Sequence, residues 1–164
     1  MSANPPDGDN VAFLLSQLGH CSATVFADLI ASLDLTPAHA GILRAIAAEP
    51  GRSQQALAEQ LGLQPSRLVA FVDELEDRGY VERRRNPDDR RLHALHLTPA
   101  GRRITNRIGE LARRHDRMMT AGLDARERQT LRELLTKVAE HQGLTPSVHP
   151  GYRTLGRRRA KPAG

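Results

Sequence analysis

The segment from Asn86 to Thr98 reads Asn-Pro-Asp-Asp-Arg-Arg-Leu-His-Ala-Leu-His-Leu-Thr, and it follows a helical pattern that stops at Gly79. Pro87 presets φ for a turn and Asp88 and Asp89 favour one. Strand-compatible residues flank it, Val81 before and Leu92, Ala94, Leu95 and Leu97 after. The pattern predicts a two-stranded hairpin with Arg90 and Arg91 projecting from its end. A guanidinium on a narrow ribbon can enter a minor groove, where the potential is most negative and a helix cannot follow. Asp88 stands close enough to Arg90 to fix its direction by a charge-assisted bond. An ordinary solvated hairpin has the same composition, so what precedes it carries weight.

From Ser53 to Gly79 the chain reads as two short helices broken at Gly62. Ala58, Gly62 and Leu68 supply the small residue, turn glycine and buried apolar residue of a helix-turn-helix. The second helix opens near Pro65, which a first turn tolerates. Leu68, Phe71, Val72 and Leu75 recur at the helical period and define its inward face. Gln64, Ser66, Arg67 and Ala70 fall outside that face. Their types suit a major groove: Arg bonds a guanine edge, Gln an adenine, Ser a base or phosphate, and Ala a thymine methyl. A buried helical hairpin is the bland alternative, and the arginine-tipped hairpin that follows directly weighs against it.

At this point the chain resembles the MarR (multiple antibiotic resistance regulator) family of winged helix-turn-helix transcription factors. Asp88, Arg90, Leu97, Thr98 and Gly101 match the family's Asp-x-Arg turn and the Leu-Thr-x-x-Gly start of a long helix. Leu75, Glu76, Gly79, Tyr80, Val81 and Arg84 are similar to the stretch joining its recognition helix to its wing. The resemblance runs from about Val11 to His141. It implies that Ser66 and Arg67 read the major groove and Arg90 the minor groove, with Arg84, Asp88 and Arg91 completing the wing's DNA-binding set.

Composition agrees. Aromatic residues make up 3% of 164 and there is no Trp, so a core must rest on Leu, Ala, Val and Ile, which favours helical packing. The net charge of +5 understates the crowding of Arg83, Arg84, Arg85, Arg90, Arg91, Arg102, Arg103 and Arg107, a stripe that points to a polyanion. No glycine-rich phosphate loop, His-Glu-x-x-His, paired cysteines or Gly-x-Ser-x-Gly elbow is present, so no enzyme and no cofactor is expected. Metal ligation is disfavoured: His93 and His96 should point to opposite faces of a strand, and His20 and His39, even with Asp28 or Asp34, read better as surface or pocket-lining residues. The start is Pro- and Asp-rich, and no apolar run approaches a membrane-spanning length, so a cytoplasmic protein is expected. Cys21, with Val25, Phe26 and Leu29 nearby, is expected to be a buried structural thiol. Peroxide-sensing members of the resembled family carry their cysteine nearer Ala12 here, which further disfavours a redox sensor.

The fold expected is mainly α with a small β-hairpin wing. A tail over 1–10 precedes one domain over 11–142, whose DNA-binding lobe spans about 37–97. Dimerisation helices flank it over about 11–33 and 99–141. Asn10, Thr36, Thr98 and Asp124 are the expected caps. Ile104, Ile108, Leu111, Met118, Leu123, Leu131, Leu134, Leu135 and Val138 exceed what one helical hairpin buries on itself, so a second copy is the expected cover. Residues 143–164, broken by prolines and ending in a basic run from Arg157, are expected to be disordered. The function expected is a homodimeric repressor on a pseudo-palindromic duplex. By resemblance it is released by a small aromatic or phenolic ligand, with His20, His39 and Arg44 as candidate lining residues. A redox regulator acting through Cys21, an effector-independent architectural DNA-binding protein and a protein-binding winged helix are the alternatives.

Overall fold

The computed structural model describes residues 10–85 and 93–154. The elements follow as α1 (Val11–Ala31), α2 (Pro37–Ala48), α3 (Gln54–Leu61), α4 (Pro65–Asp77), β1 (Val81–Arg85), β2 (His93–Leu97), α5 (Pro99–Met119) and α6 (Ala125–His141). This is a mainly helical winged helix-turn-helix. The expected N-terminal tail, apart from Asn10, and the hairpin tip with Asp88, Arg90 and Arg91 lie outside the described residues.

Local chemistry sets the helix starts. The side chains of Asn10, Thr36, Ser53, Thr98 and Asp124 each accept a hydrogen bond from a first-turn backbone N–H. Pro37, Pro65 and Pro99 open their helices where a missing N–H does no harm. Gly62 ends α3 at φ 65°, a left-handed conformation that a side chain would resist.

β1 and β2 pair antiparallel with Val81 opposite Leu97 and Arg83 opposite Leu95. Leu95 also bonds the backbone of Gly51 and Arg52, and an isolated bridge joins Ser53 to Ala94, so the chain between α2 and α3 lies along β2. The core gathers Ile30, Ile42, Leu43 and Ile46 with Leu57, Leu68, Val72, Leu75, Val81 and Leu95, all nearly fully buried. Each such side chain contributes roughly 1.5–3 kcal/mol of transfer free energy. Ile104 and Ile108 tie α5 to this core. His115 on α5 fastens α1, its Nε2 3.0 Å from the Ser22 carbonyl and its ring 5.4 Å from that of Phe26.

Three expectations need correction. Cys21 is exposed, because α1 turns Phe26 and Ile30 toward the core and leaves Cys21 on the stripe shared by Leu14 and Leu18. The chain beyond Gly143 is not without structure as far as the 3-10 helix Pro150–Thr154: Tyr152 is buried, its hydroxyl donates to the Pro37 carbonyl at 3.4 Å, and Arg44 donates to the Ser147 carbonyl at 2.7 Å. Gly41 makes the notch, since a Cβ there would fall 1.5 Å from the Tyr152 oxygen. Residues 155–164 lie outside the described residues. Finally, α1 is long and apolar enough, by length and composition, to cross a membrane. The helix holds no unbroken apolar run, because polar residues, uncharged except Asp28, interrupt the apolar ones along its length.

The junction of hairpin and α5 is tight. Thr98 N–H donates to the Tyr80 carbonyl at 3.1 Å, its hydroxyl donates to the Gly79 carbonyl at 2.6 Å, and a Cβ on Gly101 would lie 1.9 Å from the Tyr80 oxygen. Gly101→Ala should therefore lower the unfolding free energy by about 1–3 kcal/mol. Gly109→Ala, whose Cβ would meet only the Arg113 guanidinium at 3.6 Å, should raise it by about 0.4–1 kcal/mol. Urea denaturation of both variants checks the contrast, and equal effects would show that the Tyr80 contact does not constrain the junction.

Candidate nucleic-acid interface

α4 places Leu68, Val72 and Leu75 in the core and leaves Ser66, Arg67, Val69 and Ala70 exposed. Gln64, also exposed, is the N-cap residue, and its side chain makes no cap hydrogen bond. The four residues expected to face DNA thus lie at the start of α4 and its outward side. Arg67 is steadied from below, its guanidinium carbon 6.0 Å from the centre of the Phe71 ring. Arg84, the described member of the wing set, is exposed on β1 and paired with Glu82.

Arg83 behaves differently from the basic stripe in which the sequence placed it. Its side chain is 17% exposed, and it bonds the carboxylates of Asp73 and Glu76 on α4 and, at 2.7 Å, the Gln54 amide oxygen on α3. The backbone N–H of Arg83 also donates to Glu76 at 3.2 Å. This guanidinium is an internal clamp holding the hairpin to both helices of the reader. The signal was available: Arg83 is two residues from Val81 and so shares its inward face, while Asp73 and Glu76, three apart, share one face of α4.

His39 is the second departure. It is 3% exposed, and its ring meets Phe71 edge-on at 5.2 Å. Thr36 N–H approaches Nδ1 at 3.2 Å, which makes Nδ1 an acceptor and leaves Nε2–H to donate to Glu74 at 2.9 Å. His39 thus takes the part of the usual Glu or Gln in a capping box for α2 and ties that helix to α4. Burial pushes its pKa below the ordinary 6.5 and outweighs the opposing pull of Glu74. Both ring nitrogens are engaged, so His39 does not offer itself to a ligand as the sequence reading had it. Arg44 holds the Ser147 carbonyl, and His20 is exposed on α1. The structure does not bring these three together as one site.

The comparisons agree with this geometry. Residues 33–92 match the sequence profile of the MarR family. The chain is 38% identical over 113 residues to a putative transcriptional regulatory protein for the hcr operon of Thauera aromatica, covering 69% of this chain and 68% of that one. Among solved structures it resembles the transcriptional repressor CouR bound to a 23-mer DNA duplex, with 34% identity, a TM-score of 0.71 and coverage of 80% of this chain and 94% of the other. It also resembles wild-type apo MarR from E. coli, at 27% identity, a TM-score of 0.71, and 79% and 96% coverage.

Two outcomes are expected. Arg83→Met should cost about 1–3 kcal/mol and speed amide exchange in β1 and β2 more than in α5, because two carboxylates lose their shared donor. Uniform exchange across the chain would show that the clamp does not hold the hairpin. For His39, the folded state resists protonation more than the unfolded chain does. Its stabilising contribution is therefore complete above about pH 6.5 and is lost as pH falls below that value through the depressed folded pKa. Denaturation at pH 7.5 and 5.5 should show wild type losing more stability than His39→Gln, which keeps the cap geometry without titrating.

Proposed function

The chain belongs to the MarR family and is a DNA-binding transcriptional regulator, and from that premise we propose that it acts as a homodimeric repressor on a pseudo-palindromic operator until a small-molecule effector changes the spacing of its two reading heads. The observation that carries the dimer is α6. Among the described residues nothing buries any part of it, and Leu131, Leu134, Leu135 and Val138 form an exposed apolar stripe. Phe13, Leu14, Leu15 and Leu18 on α1 and Met118 on α5 extend the exposed apolar surface. Apolar surface of this extent finds its cover in a partner, and a second copy of the same helices fits the two-fold rule of most soluble oligomers. Cys21 shares the α1 stripe and is covered with it in this reading. This reading accounts for the exposed apolar face of α1 without a membrane and takes the protein to be cytoplasmic.

Reading falls to Gln64, Ser66, Arg67 and Ala70 in the major groove, with Arg84, Asp88, Arg90 and Arg91 on the wing. The support is the outward placement of the first four together with the likeness to a repressor solved on duplex DNA. Release requires an effector that binds the two head spacings unequally. Small aromatic or phenolic anions are the class proposed.

Selection of binding sites from random duplex, then footprinting, should recover two half-sites whose centres lie about 10–10.5 base pairs apart. Arg67→Ala should cost about 1–3 kcal/mol and relax preference at one position of each half-site. Arg90→Ala should weaken binding broadly, most on A-tract flanks, and lower the salt slope by about two for the dimer. A single unpaired half-site, a monomer in sedimentation at binding concentrations, or an Arg90→Ala protein with unchanged salt slope would each contradict the corresponding part of the reading.

A further inference from the structure

The described chain continues past α6 and returns to the head. Gly143, at φ 67°, stops that helix, and the Leu144 N–H closes on the Ala139 carbonyl at 3.0 Å. The strap over 144–154 then docks on α2. Pro37, Gly41 and Arg44 stand at i, i+4 and i+7, so they share one face of α2. The strap meets all three. The Tyr152 ring fills the notch at Gly41, its hydroxyl reaches the Pro37 carbonyl, and the Arg44 guanidinium holds the Ser147 carbonyl. Val148, which lies between these two staples in sequence, packs half-buried against the core.

The fit is specific, yet the attachment is slight. The atoms nearest a Cβ built on Gly41 all belong to Tyr152, so the notch admits this ring only while position 41 has no side chain. Against that stand two costs. Ser147 sits at φ 61°, a left-handed conformation that a residue with a side chain resists. The bond from the Tyr152 hydroxyl to Pro37, at 3.4 Å, is long for an O–H donor. One ring, one guanidinium and one half-buried valine must offset the entropy of ordering the whole strap. A segment held in this way opens locally at a much lower free energy than the core.

The place of docking gives the strap a reach beyond its own contacts. α2 carries His39, which bonds Glu74 on α4 and meets Phe71 edge-on, and Phe71 underlies Arg67. A strap seated on the first two turns of α2 therefore steadies the helix that supports the reading face of α4. At its other end it follows directly from α6, in which no residue is buried among the described residues. The strap is thus a tie between the head and a helix that otherwise stays exposed.

We propose that residues 144–154 form a reversible latch, seated in the Gly41 notch by Tyr152, whose docking pre-organises the reading head and so strengthens DNA binding. The docked latch removes in advance motion of α2 that a bound duplex would otherwise have to freeze. By linkage the effect runs both ways: a bound duplex holds the latch closed by the same factor by which the latch raises affinity. The coupling rests on duplex binding alone and needs neither the effector nor the dimer proposed above.

Three variants of the full chain test it. Gly41→Ala places a methyl where the Tyr152 oxygen lies and, alanine being the better helix former, ejects the ring without weakening α2. Tyr152→Ala empties the notch from the other side, and Tyr152→Phe keeps the ring while losing only the long hydroxyl bond. Amide exchange at positions 148 and 152, whose N–H groups donate to the Thr145 and His149 carbonyls, reads the latch directly. Titration with a duplex carrying the site selected from random DNA reads affinity. In Gly41→Ala and Tyr152→Ala both amides should exchange as in an open chain, and affinity should fall about fivefold or more. Tyr152→Phe should resemble wild type in both readouts. In wild type, adding the duplex should slow the two amides by about the factor of affinity that the other variants lose. Amides as fast in wild type as in Tyr152→Ala, or still protected in Gly41→Ala, would overturn the latch. Wild-type affinity in either variant once its amides are released, or exchange indifferent to the duplex, would show a strap without coupling to the head. Tighter binding by the released variants would overturn the sign and make the docked strap an inhibitor. Failure of wild type to bind any duplex would overturn the coupling, while exchange alone still decides the docking.

Discussion

The Arg83 guanidinium lies among Asp73, Glu76 and Gln54, and the geometry of the reading head depends on it. A two-stranded hairpin is marginal in water unless something else fixes it. Here apolar burial secures its base through Val81, Leu95 and Leu97. The clamp acts at the same level, since Arg83 stands opposite Leu95 and reaches α4 and α3 from there. Both carboxylates sit on α4, so the same bonds that hold the wing also set its angle to the recognition helix. Two grooves can then be addressed as one rigid body. The remaining arginines of the basic stretch are thereby separated in role: Arg83 faces inward, and Arg84, one residue on, faces away.

A second line of contacts runs from the reader toward α2. Arg67 rests on Phe71, Phe71 meets the His39 ring edge-on, and His39 bonds Glu74 and caps α2 through Thr36. Neutral imidazole satisfies this arrangement completely, with one donor and one acceptor. Protonation would leave the Thr36 N–H facing a second donor inside the protein, an unfavourable exchange in low dielectric. The imidazole whose burial holds its pKa down thus belongs to a helix cap and also meets the ring beneath Arg67.

Much of the architecture was legible because it is written locally. Asn10, Thr36, Thr98 and Asp124 cap the helices they precede, and Gly62 ends α3 for a stereochemical reason visible in the residue itself. The outward position of Ser66, Arg67 and Ala70 follows from helical period alone. What stayed hidden depends on meetings between distant segments. Nothing near His39 announces Glu74, 35 residues on, and nothing near Tyr152 announces the notch at Gly41. Cys21 misled because apolar neighbours in sequence were taken as apolar neighbours in space. On a helix, Val25 and Phe26 face different ways, and the side of α1 that meets α5 is the one carrying Ser22 and Phe26. Tyr152 shows the opposite error, a segment poor in periodicity that orders because one ring fits one cavity in a helix surface. Its burial raises the phenol's pKa and keeps it a donor to Pro37.

These contacts set a head held by several bonds apart from helices α1 and α6, whose apolar faces find no cover among the described residues. The head joins α5 with little slack, since Gly101 sits against the Tyr80 carbonyl and Thr98 bonds both Gly79 and Tyr80. A rotation of the head is therefore also a rotation of α5. α5 carries Ile104 and Ile108 in the core at one end and exposes Met118 at the other, so motion at the wing base reaches the surface on which a partner would pack. Coupling of this kind needs no chain of intermediate switches, because one helix, fixed at its start by a backbone contact, serves as the lever.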